Sequence, residues 1–147
     1  MQNSDDPVLW TLRQASENIR ARKISPVELT QACLDRILTF NPKIDAWITV
    51  MREQALAQAK ALEKEPSRGP LHGIPIGLKD NIDVAGVRTT AGSRTLSTNI
   101  ATADAEVTRR LRAAGAVLVG KCNMHIFAAG ATSAVSYYGP VRNPVES

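Results

Sequence analysis

"HGIPIGLKDN", residues 72–81, decides how this chain is read. Ile74, Ile76 and Leu78 alternate with Pro75, Gly77 and Lys79. That period of two predicts a strand over 73–79. It also puts Lys79 on the face that carries Pro75 and Gly77. A lysine at a strand end ordinarily extends along the apolar surface and holds its ammonium in water. Here Gly77 clears the space two residues back on the same face, which favours a second reading, a lysine with chemical work to do.

A second apolar run, "AVLVG" at 116–120, is continuously hydrophobic, with a strand expected over 116–119. Such a run suits a strand covered on both faces. Between the two strands, Asp104 is expected to cap a helix running to Ala114, with Val107 and Leu111 facing inward and Gly115 as its stop. Strand, helix and strand in this order make a βαβ-like unit. If the strands are parallel, their C-terminal ends share the rim where open α/β sheets bind ligands. Lys79 ends the first strand, and Lys121, Cys122 and Asn123 follow the second. "VAGVRTTAGSRTL", 84–96, reads as a Gly/Thr/Ser-rich loop. Asn123 is expected to cap a short helix, "MHIFAA", that ends at Gly130, with loop beyond.

Upstream of the break "EKEPSRGP", 63–70, the chain reads as helices. Asp6 and Pro7 predict a helix start, with Leu9, Leu12 and Ile19 as its apolar stripe. In "ISPVEL", 24–29, Ser25 and Glu28 have capping-box spacing, and Ile24 and Leu29 are placed to staple. Leu29, Cys33, Ile37 and Phe40 continue that helix to a stop expected at Asn41-Pro42. "AWITVM", 46–51, predicts a short extended piece. A third helix over 52–64 has Ala55, Leu56, Ala59 and Leu62 on one side. The expected organisation is leading helices over 1–65 and an α/β part over 69–147.

Composition bounds the function. The chain has 147 residues, 44% of them hydrophobic and 22% charged, which is ordinary for one soluble domain. The net charge of +4 invites a nucleic-acid reading, but there is no basic block. Arg20, Arg22 and Lys23 fall at a helix end, where cations complement the dipole, and Arg109, Arg110 and Arg112 occupy another helix. No nucleic-acid partner is expected. Cys33 and Cys122 are far apart with no CxxC, which suits a reducing compartment. No run approaches a membrane span and the acidic N-terminus has no signal-peptide pattern, so a cytoplasmic location is expected.

Burial disfavours an ammonium, and only the neutral amine acts as a base, so a buried Lys79 would be suited to proton transfer. Asp80 points to the opposite face and is expected to anchor the local backbone. His72, Cys122 and His125 could be combined into a metal site, and Cys122 with His125 into a nucleophilic dyad, but neither has a diagnostic spacing. No metal or cofactor is expected. The glycines of "GPLHGIPIG" do not match a phosphate-binding loop.

"GPLHGIPIGLKDNIDVAGVRTTAGS", "VTRRLRAAGAVLVGKCNM" and "GPVRNP" together resemble the N-terminal part of the amidase-signature family of serine amidohydrolases. The resemblance implies an α/β fold: the first part of a mixed sheet flanked by helices, leading helices first. It implies hydrolysis of a carboxamide C–N bond through an acyl-enzyme, by a Ser–cis-Ser–Lys triad in which Lys79 is the base. The family's glycine- and serine-rich loop falls after the "RNP" turn, so the nucleophile and bridging serine are expected beyond Ser147. No catalytic role is transferred to Ser93, Ser133, Ser136 or Ser147. Met124 and Phe127 match positions that line the acyl pocket in the family, with a core role as the alternative. Ile126 stands where the family often has an acidic residue. A small-molecule amide is the expected substrate, and the 147 residues alone are expected to be inactive. Two alternatives remain: a non-catalytic remnant that binds a partner, and the glutamine-hydrolysing subunit of a tRNA-dependent amidotransferase.

Overall fold

The computed structural model describes residues 6–145, so the expectation for Ser147 lies outside the described residues. Four helices and three strands follow in the order α1 (Leu12–Arg20), α2 (Pro26–Ile44), β1 (Trp47–Val50), α3 (Arg52–Leu62), β2 (Pro75–Lys79), α4 (Glu106–Ala113) and β3 (Val117–Cys122). The strands form one sheet in the order β1-β3-β2. β1 runs antiparallel to β3, with Trp47 opposite Cys122, Thr49 opposite Lys121 and Val50 opposite Gly120. The Val117 amide donates to the Ile74 carbonyl (2.9 Å) and the Asp80 amide to the Cys122 carbonyl (3.0 Å). Residue numbers rise together along this ladder, so β2 and β3 are parallel, which meets the condition attached to the βαβ reading. The result is an α/β fold with a small mixed sheet.

The chain divides into two compact units. One comprises Met1–Arg36, Met51–Ile76 and Leu111–Val119; the other comprises Ile37–Val50, Gly77–Arg110 and Gly120–Ser147.

In the first unit the single helix expected from Asp6 onward is two pieces. Asp6 accepts the Val8 amide (3.1 Å) and caps only a 3₁₀ turn, Pro7–Leu9. The chain restarts at Thr11, whose hydroxyl accepts the Gln14 amide while the Gln14 side chain accepts the Thr11 amide. A complete capping box satisfies two helix-start donors where Asp6 satisfies one, and it wins. The restart rotates the buried face to Ala15 and Ser16 and leaves Leu9 and Leu12, two members of the expected stripe, exposed.

The α2 start is as the sequence reads. The Glu28 amide donates to Ser25 Oγ (3.1 Å) and the Ser25 amide to Glu28 Oε2 (2.7 Å). The Ser25 amide, and then the Ser25 hydroxyl, hold the Glu28 carboxyl below its ordinary value. Ile24 and Leu29 meet in one cluster with Ala15, Cys33, Ile74 and Ile76, which seats the beginning of β2 on the helices. Ala55 and Ala59 of α3 are fully buried, and Gln58 clamps β3 by donating to the Ala116 carbonyl (2.7 Å) and accepting the Leu118 amide (3.2 Å).

The expected stop at Asn41-Pro42 is overridden, because α2 runs on to Ile44 with Pro42 inside it. In a final turn proline forgoes one intrahelical bond, and the helix still closes with the Asp45 amide on the Asn41 carbonyl (2.9 Å). Asn41 then fixes the start of β1, accepting the Trp47 amide (2.8 Å) and donating to the Trp47 carbonyl (3.1 Å).

Three further expectations change in the second unit. Asp104 accepts the Ala85 amide (2.8 Å), and α4 begins at Glu106. The inward residue of α4 there is Thr108, fully buried, whose hydroxyl donates to the Asp83 carbonyl (2.6 Å), while Val107 is 44% exposed. Only a 3₁₀ turn, Ile126–Ala128, forms where a short helix was expected. Asn123 is drawn into other work: its carboxamide donates to the Asp45 and Gly139 carbonyls and accepts from Met124 N and Ser136 Oγ.

Candidate active site at the end of β2

Lys79 is the last residue of β2, and its side chain is exposed. The burial that would suit Lys79 to proton transfer is not present among the described residues. Strand alternation gives β2 two chemically different faces. Leu78 and Asp80 are buried, whereas Gly77 and Lys79 are exposed.

Gly77 is needed for space. A Cβ at Gly77 would lie 2.9 Å from both Trp47 Cζ3 and Cys122 Sγ, with Trp47 Cη2 closer still. One at Gly120 would meet the same indole at 3.1 Å and the Thr49 carbonyl. The Trp47 ring therefore covers β3 and β2, and two glycines admit it. Gly77→Ala is expected to displace the indole, at a cost of about 1–3 kcal/mol from overpacking. A denaturation midpoint equal to that of the wild type would contradict this packing.

Asp80 and Lys121 are both 0% exposed and form an ion pair, Nζ to Oδ1 3.2 Å. Asp80 Oδ2 accepts the Thr90 amide (2.9 Å) and, at short range, the Thr90 hydroxyl. Lys121 Nζ also donates to Thr89 Oγ1 (2.9 Å) and the Arg88 carbonyl (3.4 Å). The Asp80 carbonyl accepts the Ala91 amide (3.0 Å). Asp80 thus anchors the backbone at Thr90 and Ala91, and its partner Lys121 extends the hold to Arg88 and Thr89.

Sequence reasoning misses Lys121 as a key residue because it ends the second strand at Val119, whereas β3 continues to Cys122. Parallel pairing offers the signal. A charge near the end of each of two apolar strands, Asp80 and Lys121, invites pairing.

From this anchor the loop reaches the rim. The Phe127 amide donates to the Ala91 carbonyl and the Tyr137 amide to the Gly92 carbonyl, both at 2.9 Å. Ala91, Phe127 and Ala128 hold φ of 51°, 50° and 59°, a left-handed region costly to residues with a Cβ. Phe127 is 58% exposed. Met124, the other pocket candidate, is 1% exposed and takes a core position.

The remaining candidates are not brought together. Burial, and then the Asp80 carboxylate, push the Cys122 thiol above its ordinary value, which disfavours the nucleophilic thiolate. No hydrogen bond joins Cys122 to His125. His72 lies in the first unit, where its Nε2 faces the Leu62 carbonyl at 3.0 Å. Among the described residues no group of three His, Cys, Asp or Glu could hold a metal ion, and no helix is long and apolar enough to cross a membrane.

The family model described as Amidase matches residues 28–147, most of the chain. The chain belongs to the Amidase family. Over 137 residues it is 47% identical to the A-type subunit of the glutamyl-tRNA(Gln) amidotransferase of Methylococcus capsulatus, covering 91% of this chain and 28% of that protein. The native peptide amidase from Stenotrophomonas maltophilia superimposes with a TM-score of 0.84 at 36% identity, over 92% of this chain and 30% of that one. A fatty acid amide hydrolase structure, at 23% identity and a TM-score of 0.85, shares the fold. The chain spans 28% of the length of the amidotransferase relative. The Amidase family is one of amide C–N hydrolases, and the fold expected from the motifs is the fold its members share.

Proposed function

We propose that the protein carrying this chain hydrolyses a carboxamide C–N bond through an acyl-enzyme, with Lys79 as the base. The observation that carries this reading is the placement of Lys79. It stands exposed at the C-terminal end of a parallel strand, on the ligand-binding rim, in a chain of the Amidase family. Once the rest of the domain covers Lys79 and desolvates its amine, the neutral amine would accept a proton, relayed through a bridging serine, from a nucleophilic serine that attacks the amide carbonyl. The C–N bond breaks as the proton passes to the leaving amine, and water then releases the acid. Both serines would come from the rest of the amidase-signature domain, of which these residues form the N-terminal portion. Phe127, exposed beside the 88–92 loop, would border the acyl pocket. Met124 would support it from beneath. The substrate is a small-molecule amide.

A second reading, glutamine hydrolysis within an amidotransferase, is favoured by the 47% identity to the amidotransferase relative, against 36% to peptide amidase.

An acyl-enzyme partitions between water and added hydroxylamine, so one assay addresses both readings. The protein expressed from its own gene is incubated with glutamine, or with other carboxamides, in the presence of hydroxylamine. Hydroxamate from several amides is the expected result. Hydroxamate from glutamine alone would move the assignment to the second reading, and none from any amide would contradict acyl transfer.

A further inference from the structure

A fully buried lysine–aspartate pair is a costly way to fill a core. Apolar side chains of the same volume are often as stabilising, or more so. β3 and the residue before it are apolar from Ala116 to Val119, so an apolar residue at 121 would fit the pattern. The pair supplies something an apolar contact lacks, which is direction. Lys121 Nζ reaches Asp80, Thr89 Oγ1 and the Arg88 carbonyl, and Asp80 in turn holds both the amide and the hydroxyl of Thr90. The Asp80 backbone is held at both its polar groups, by the Cys122 carbonyl and the Ala91 amide. Lys79, the adjacent residue, has its own carbonyl closed by the Ile82 amide (2.9 Å). The backbone bonds fix residues 79 and 80, from which the Lys79 side chain projects, the side-chain bonds tie Asp80 and Lys121 to the 88–90 loop, and none of them involves the Lys79 amine.

We infer that Lys121 is a positioning residue for the reaction, acting through Asp80 to aim Lys79 and to hold the 88–92 loop against the rim. The inference rests on Lys79 being the base. Lys121 touches no substrate. It sets the direction and distance of the amine that does, and misplacing a reacting group by about 1 Å costs on the order of 100-fold in rate. The loop contributes in the same way, since the Phe127 and Tyr137 amides hang on the Ala91 and Gly92 carbonyls.

The test separates aim from stability. Lys121→Met alone strands the buried Asp80 carboxylate, so the decisive variant is Asp80→Asn/Lys121→Met, which removes both charges at similar volume. It is expected to melt cooperatively and to lose about 100-fold in kcat, with KM changed by less than about 3-fold. Thr89→Val, which removes one acceptor of the ammonium and keeps the side-chain shape, is expected to lose about 10-fold in kcat with little change in melting temperature. Groups that act as a unit are not additive, so in a Lys79→Ala background the pair substitution should lower kcat no further. Wild-type kcat in both the double variant and Thr89→Val overturns the inference, as does a loss carried by KM alone. Lys79→Ala is the control. If it abolishes activity while the pair variant retains it, only the positioning role falls; if Lys79→Ala retains wild-type activity, the functional reading falls first.

Discussion

Lys121→Met is expected to lower the unfolding free energy by about 3–5 kcal/mol, a larger loss than Gly77→Ala or Lys79→Ala would cause. The sign follows from what is left behind. Lys121 and Asp80 are both fully buried, so removing the ammonium leaves a carboxylate without its counter-charge in a medium that solvates it poorly. Thr90 alone would remain on Asp80 Oδ2, while Oδ1 would have no partner. The Thr89 hydroxyl would lose its donor as well. Asp80→Asn/Lys121→Met is expected to recover most of the loss, because neither residue then carries a buried charge. Chemical denaturation of the three proteins checks both statements. A Lys121→Met variant within about 0.5 kcal/mol of the wild type would contradict the buried pair.

How far the fold is legible in the sequence depends on how local each signal is. Capping chemistry is local, so Ser25 and Glu28 can be read from spacing alone, and their reciprocal bonds are present. Where two local signals compete, the sequence does not rank them, and Thr11–Gln14 displaces the start expected at Asp6. Apolar character misleads at α4, since Thr108 is buried for its hydroxyl bond while Val107 is exposed. β2 and the place of Lys79 at its end are readable from period-two patterning and β3 from its continuous apolar run, whereas the parallel direction of the pair comes from the hydrogen-bond ladder. The Lys121–Asp80 pair is not readable in the same way, because it joins residues distant in sequence through a strand that outruns its apolar stretch. The role of Gly77 is half legible. The glycine is needed for space, and the occupant, Trp47, comes from a strand far earlier in the chain.

The second large effect concerns Lys79. Its side chain is exposed and carries no ion pair among the described residues, so truncating it removes chemistry and little packing. Surface changes of that kind usually alter stability by less than about 0.5 kcal/mol. Loss of a general base typically costs about 10²–10⁴-fold in rate. Lys79→Ala is therefore expected to separate the two quantities cleanly, in contrast to Lys121→Met, which changes both.

The most direct measurement is kcat for amide hydrolysis by wild type and Lys79→Ala in the protein expressed from its own gene, with melting temperatures recorded on the same samples. A base role predicts a loss of at least about 100-fold in kcat at an unchanged melting temperature. Equal rates would contradict it.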